Sequence, residues 1–223
     1  MKYLLYIFML SSSVLFAQNR TQNLGDFDEL KIFNGLSVNI EKSDKASIEI
    51  SGEKTNDVVV KNVNGILKLS LRFPENFNPD KVKVKVYYNQ DLAILDANEG
   101  AAIFSEDTLK QESLTVKTQE GAYIRLSIEV KYLSAKAVTG GNIMLKGSTV
   151  NQDIDITTGG VYEAYDLISE DADIIAASGG NAQINVSKQL EAKVRFGGSI
   201  YYKGNPEKVS TRKIMGGTII NKG

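Results

Sequence analysis

"RFGGSIYY" (195–202) is followed by "IMGGTIIN" (214–221), the same pattern of residue types written twice, with 19 residues between the first glycines (216 − 197). Anchoring on that glycine finds the pattern at Gly140, Gly159, Gly179, Gly197 and Gly216, with second glycines at Gly141, Gly160, Gly180, Gly198 and Gly217. The spacings are 19, 20, 18 and 19 residues. Two degenerate copies stand upstream at Gly100 and Gly121, with Ala in the second place. A fixed period of this size marks a stack of repeated supersecondary units.

The flanking residues repeat as well. Three positions after each first glycine stand Ile103, Ile124, Ile143, Tyr162, Ala182, Ile200 and Ile219. Seven positions before it stand Leu114, Leu133, Ala172, Leu190 and Val209, and five before it Val116, Ala135, Ile154, Ile174 and Ala192. Offsets of two describe strands with one buried face. Four before the glycine, Lys117, Lys136, Asp155, Lys193 and Arg212 are set to face water. Each unit therefore reads as strand, glycine turn, strand and connection. Such strands bury their apolar face only by stacking. The expected fold is all-β: a right-handed parallel β-helix with coils of about 19–20 residues, stacked about 4.8 Å apart. The glycine pairs are its corners, where φ > 0 and close approach of coils both favour glycine. They match no phosphate-binding pattern, and the calcium β-roll signature is missing.

Residues 24–92 alternate less regularly and are expected to form a strand-rich N-terminal cap, with glycine-cornered coils over 93–222. "NVNGILKL" places Asn64-Gly65 between two alternating runs, a hairpin signal. "RFPENFNPD" (72–80) is the one long loop candidate. Before all of this, Lys2, the apolar "YLLYIFML" and Ala17 form a Sec-type signal peptide over 1–17, which leaves one domain over 18–223.

The chain has no His and no Cys, so the usual zinc, haem and iron–sulfur ligands and the commonest general base are missing. Without Lys2, 25 basic residues (26 − 1) face 27 acidic ones, a balance that speaks against nucleic acid as a partner. No cofactor or metal is expected, and once processed the chain is not expected to be an integral membrane protein. Asp153 and Asp155 share the outward face of one strand, and Asp173 aligns with Asp153 one coil on. These carboxylates are candidates for binding or acid–base work, against a plain solvated face in which charges alternate in sign from coil to coil. Tyr123, Tyr165 and Tyr201 sit at outward or corner positions and are candidates for stacking on sugar rings. Tyr162 and Tyr202 fall on inward ladders. Those ladders, filled by Ile, Leu, Val and Ala, leave no interior pocket.

"FDELKIFNGLSVNIEKSDKASIEISG" near the start, "NGILKLSL" in the middle and "GGSIYYKGNPEKVSTRKIMGGTIINK" at the end resemble the head GIN domain family of exported β-helical proteins, over about residues 24–222. The "YKGNP…GG" tail and the glycine ladder are its specific part. Glu99 and Glu120 before a single glycine, and Phe196 and Met215 where other coils carry Thr or Ser, depart from the common pattern. The resemblance implies an adhesion role in the periplasm, at the outer surface or outside the cell, and it brings no catalytic motif. The expected function is a non-enzymatic module that contacts envelope or extracellular polysaccharide, or a surface protein. The alternatives are a polysaccharide lyase or hydrolase built on a β-helix, and a structural protein that stacks end to end.

Overall fold

The computed structural model describes residues 19–72 and 81–223; the expected leader and nearly all of the 72–80 loop lie outside the described residues. Sixteen strands follow in chain order: β1 (Arg20–Asn23), β2 (Glu29–Ile32), β3 (Ser37–Lys42), β4 (Ser47–Gly52), β5 (Val58–Val63), β6 (Ile66–Leu71), β7 (Val82–Tyr88), β8 (Ile94–Ala97), β9 (Ala102–Thr118), β10 (Tyr123–Ala137), β11 (Asn142–Ile156), β12 (Val161–Ala177), β13 (Asn181–Arg195), β14 (Ser199–Lys203), β15 (Lys208–Ile214) and β16 (Thr218–Asn221). They wind into a parallel β-solenoid of about seven turns. One 3-10 turn (Thr55–Asp57) is the only helical element among the described residues, and no described helix is long and apolar enough to cross a membrane.

Each corner is an X-Gly turn. Glu99, Glu120, Thr139, Thr158, Ser178, Phe196 and Met215 have φ of 48–55°, and the glycines after them have φ of 70–84°. Two successive left-handed residues are the signature of a type I′ turn. The amide after the pair closes it, as where Gly141 N–H donates to Val138 O at 2.9 Å and Gly160 N–H to Thr157 O at 3.0 Å. The corners also bond to one another along the stack: Gly100 N–H donates to Glu120 O (2.9 Å), Gly121 to Thr139 O (3.2 Å), Gly140 to Thr158 O (3.1 Å) and Gly159 to Ser178 O (3.1 Å).

The two glycines of a pair do different things. The first supplies the positive φ, and a Cβ on Gly140, Gly159, Gly179 or Gly197 would point into open space. The second lies against the preceding coil. A Cβ on Gly160 would sit 2.3 Å from Ala137 O, and one on Gly198 2.1 Å from Ala176 O. Only Ala101 and Ala122, in the two earliest of these coils, carry a side chain there, and both are fully buried.

From corner to corner the chain is continuous strand, not two strands and a connection: β9–β13 each run 15–17 residues. Consecutive outward residues mark bends inside them, at Tyr165-Asp166 and Glu170-Asp171 in β12 for example. Each coil thus has a post-corner face, a short middle face and a pre-corner face. The inward columns hold the core. Ile124, Ile143, Tyr162, Ala182 and Ile200 stack directly on one another and are fully buried. Burying one such large side chain stabilises by about 1.5–3 kcal/mol. In the last coil, Val209, Thr211 and Lys213 stand opposite Leu190, Ala192 and Val194. Val209, expected inside, is 46% exposed, because among the described residues nothing covers its column.

The N-terminal strands join the same stack out of sequence order. β2 pairs in parallel with both β6 and β8, and β3 with both β7 and β9. Asn34-Gly35 is therefore another corner of the ladder, with φ of 61° and 70° and Gly35 N–H bonded to Glu99 O at 2.9 Å. Antiparallel pairing ends this side: β4 lies between β1 and β7, and the expected hairpin at Asn64-Gly65 joins β5 to β6.

Candidate binding groove on the pre-corner face

A shallow groove of about 660 Å³ runs across the outside of the pre-corner face. Two outward columns build it. Six residues before each corner glycine, Thr115, Ser134, Asp153, Asp173 and Glu191 stand in direct register on successive coils. Eight before it, Ser113, Tyr132, Asn151, Asp171 and Gln189 do the same. Rungs in a sheet are about 4.8 Å apart, so the groove presents a hydroxyl, amide or carboxylate at each step along the stack.

The structure brings Asp153 and Asp173 together as expected, with Asp155 on the same strand as Asp153. The expected alternation of sign holds where Lys136 stands opposite Asp155 and fails in the column six residues before the corner. Asp153, Asp173 and Glu191 are stacked like charges, and none of the three forms an ion pair among the described residues. The middle face shows the contrast. There Lys110 pairs with Glu129 (2.8 Å), Lys131 with Glu112 (3.9 Å) and Lys188 with Glu170 (2.6 Å), each across neighbouring coils. The chain balances stacked charges on the middle face and leaves them unbalanced in this one column of the pre-corner face. Glu191, Asp171 and the half-exposed Tyr132 were missed from sequence; the offsets of six and eight from the corner glycine contain them.

Burial pushes the Asp153 carboxyl above its ordinary 3.8, and the carboxylates of Asp173 and Asp155 add to the rise. A carboxyl raised in the folded state binds its proton more tightly there than in the unfolded chain. Ionised Asp153 therefore costs stability at neutral pH, and the cost is relieved as the pH falls through the folded-state pKa. Asp153→Asn is expected to stabilise the fold slightly at pH 7, by less than about 0.5 kcal/mol, seen as a small rise in the urea midpoint. The gain should vanish below pH 3.8, the carboxyl's ordinary value. A midpoint lowered at pH 7 would contradict this electrostatic reading. No group of three or more acidic side chains able to hold a metal ion occurs among the described residues.

The groove floor is fixed by a polar chain inside the coil, where only apolar side chains were expected. Tyr162 Oη donates to Gln152 Oε1 (3.0 Å), Gln152 Nε2 to Ser169 Oγ (2.7 Å) and Ser169 Oγ to Asn185 O (2.8 Å). Gln152, Tyr162 and Ser169 are all buried. Burial pushes the Tyr162 phenol far up, which keeps it a neutral donor.

The candidate tyrosines lie elsewhere, on the post-corner side. Tyr123 Oη donates to Met144 Sδ at 3.5 Å. Lys203 Nζ stands 4.4 Å from the centre of the Tyr165 ring, and Lys222 Nζ 5.3 Å from that of Tyr201. Burial pushes the Tyr165 phenol up, with nearby Tyr201 adding to it. A cation thus occupies one face of two of the three rings, and the carboxylate and tyrosine candidates do not form one site.

A family model described as "Putative auto-transporter adhesin, head GIN domain" matches residues 26–206. No curated protein matches the chain. Among solved structures, the chain is similar to a "putative adhesin" from Bacteroides fragilis NCTC 9343, with TM-score 0.84 at 20% identity over 92% of this chain and 96% of that one. It is also similar to a "putative adhesin" from Parabacteroides distasonis ATCC 8503, with TM-score 0.75 at 19% identity over 92% and 96%. A "Putative lipid binding protein" from the same organism gives TM-score 0.68 at 18% identity over 91% and 96%. At these identities the likeness shows a shared fold.

Proposed function

Because the chain belongs to the head GIN domain family, we propose that it is an exported, non-enzymatic binding module that holds an uncharged, hydroxyl-rich polysaccharide along the pre-corner groove. The observation that carries the reading is the column Thr115, Ser134, Asp153, Asp173 and Glu191, whose carboxylates pair with no cation among the described residues. A carboxylate accepts hydrogen bonds from sugar hydroxyls, and the same column repels polyanions. Tyr132 lines the side of the groove, with Lys131 Nζ 5.0 Å from its ring centre. Donors and acceptors repeated at each coil suit a repetitive polymer, where many weak contacts add up. Thr211 and Lys213 on the inward columns of the last coil argue against end-to-end stacking, since an inward charge blocks a further strand.

The test incubates the secreted chain with insoluble neutral and acidic glycans and follows both retention and the release of reducing or unsaturated ends. Retention on the neutral glycan without release is expected, with about a tenfold loss in the triple variant Asp153→Asn, Asp173→Asn, Glu191→Gln. Equal retention of the variant would refute the groove. Release of products that stops with Asp153→Asn or Asp155→Asn would establish the enzyme instead.

A further inference from the structure

The last coil differs from the rest of the molecule in charge. Residues 193–223 hold seven Lys or Arg and one Glu, whereas residues 1–192 hold 19 basic (26 − 7) and 26 acidic (27 − 1). The acidic column of the groove stops one coil earlier, since Glu191 stands opposite Ser210. In the neighbouring column Lys193 and Arg212 stand in direct register, like charge on like charge. Two carboxylates adjoin this set: Glu191, diagonal to Arg212 across that pairing, and Glu207, next to Lys208 in the chain. Neither forms an ion pair with Lys193, Lys208, Arg212 or Lys213 among the described residues. Lys203 and Lys222 stand over the rings of Tyr165 and Tyr201, contacts that leave their charge unneutralised.

The same coil carries exposed apolar side chains. Of the seven large apolar or aromatic side chains exposed among the described residues, four are Phe196, Val209, Met215 and Ile220. Phe196 is 55% and Met215 74% exposed. They occupy neighbouring corners, where Phe196 N–H donates to Ile214 O at 3.1 Å. Both hold φ of about 50° (49° and 55°), a conformation that bulky residues avoid. Ser178 fills the equivalent corner at φ 48°, so the turn itself does not require them. An exposed apolar patch rimmed by charge marks a contact surface. A further strand is a poor occupant, because Thr211 and Lys213 stand on its inward columns. A soluble polyanion meets the cations and leaves the apolar corners in water.

We propose that the last coil seats the molecule on the surface of an anionic phospholipid bilayer. Phe196 and Met215 enter the boundary between headgroups and acyl chains, and Lys208, Arg212, Lys213 and Lys222 meet lipid phosphates. The edge of β15 and β16, paired on one side only among the described residues, then lies in the wet headgroup layer, where its free N–H groups find phosphate oxygens or water. The acidic remainder of the molecule is turned away from the membrane. The proposal does not rest on the glycan reading, and either can fail without the other.

The experiment sediments the secreted chain with vesicles of phosphatidylcholine alone, or of phosphatidylcholine with about one third phosphatidylglycerol, and measures binding to soluble dextran sulfate alongside. Binding to the anionic vesicles is expected to be at least about tenfold tighter than to the neutral ones and to be lost in about 0.5 M salt. The triple variant Lys208→Gln, Arg212→Gln, Lys213→Gln, at exposed positions, should weaken it about a hundredfold. The corner variant Phe196→Ser, Met215→Ser should weaken vesicle binding about tenfold and leave dextran sulfate binding unchanged. Urea midpoints like that of the parent chain show that both variants keep the fold. Equal binding to the two kinds of vesicle, or binding untouched by the triple variant, would overturn the proposal. Vesicle binding unaffected by the corner variant would overturn it too, in favour of a site for polyanions in general.

Discussion

Replacing Gly160 by alanine is expected to destabilise the fold by about 3 kcal/mol, more than the same change at its neighbour Gly159. The added methyl at Gly160 would meet Ala137 O at 2.3 Å, Ala137 C at 2.7 Å and Thr157 O at 3.1 Å. All of these are backbone atoms, and two belong to the coil beneath, so no side chain can swing aside. At Gly159 the methyl meets nothing within 4 Å, and the cost is that of holding Ala at φ 70°, about 1–2 kcal/mol. Even that is partly tolerated by design, since Thr158 beside it already sits at φ 51°. Asp155→Asn, on the outer face, should change stability by less than about 0.5 kcal/mol. Urea midpoints of the three variants give the order directly. Equal losses at Gly159 and Gly160 would mean that close approach of the coils is not what the second glycine serves.

Tyr162→Phe is the second substitution with a large expected cost, although it removes one oxygen atom. The phenol is fully buried and donates to Gln152 Oε1 at 3.0 Å. Without it the amide oxygen of Gln152, itself buried, has no donor, and the expected loss is about 1–3 kcal/mol. The double variant Tyr162→Phe, Gln152→Met should recover part of that loss, because both ends of the bond are then apolar. The comparison is a double-mutant cycle on unfolding midpoints. A neutral Tyr162→Phe would show that the bond adds nothing. Strictly additive single effects would show that the two residues are not coupled.

How far the sequence was legible can be judged residue by residue. The corner glycines from Gly100 to Gly216 could be read directly, since a period of 18–20 residues survives wherever each coil follows the previous one in the chain. Asn34-Gly35 belongs to the same ladder but could not be found that way. It lies 65 residues before Gly100 (100 − 35), and the β4–β7 excursion puts β6 and β7 on its outer side. Non-local pairing of this kind leaves no trace in periodicity. The alignment of Asp153 with Asp173 was legible from the corner offset, and Glu191 obeys the same offset. The expectation of alternating charge was a general rule about stacked strands, true here on the middle face and broken in the groove. Gln152 occupies a core column where apolar residues stand in the other coils. Its partners, Tyr162 and Ser169, come from the next coil, so their mutual satisfaction appears only in three dimensions.

The ladder of bonded corners also makes length a countable quantity. Each coil begins and ends at an equivalent X-Gly step, and every column passes through each coil once. Removing or duplicating the chain between two successive corners, such as Gly140 to Gly159, would return each remaining residue to its own column. The molecule would simply be shorter or longer by one rung of about 4.8 Å. Irregular spans are absorbed inside the long strands, where the register slips between Met144 and Gly147 and between Ala164 and Ile168. The protein is in this sense a ruler with whole-number divisions, and its reach can change in single increments while the groove keeps its local grammar.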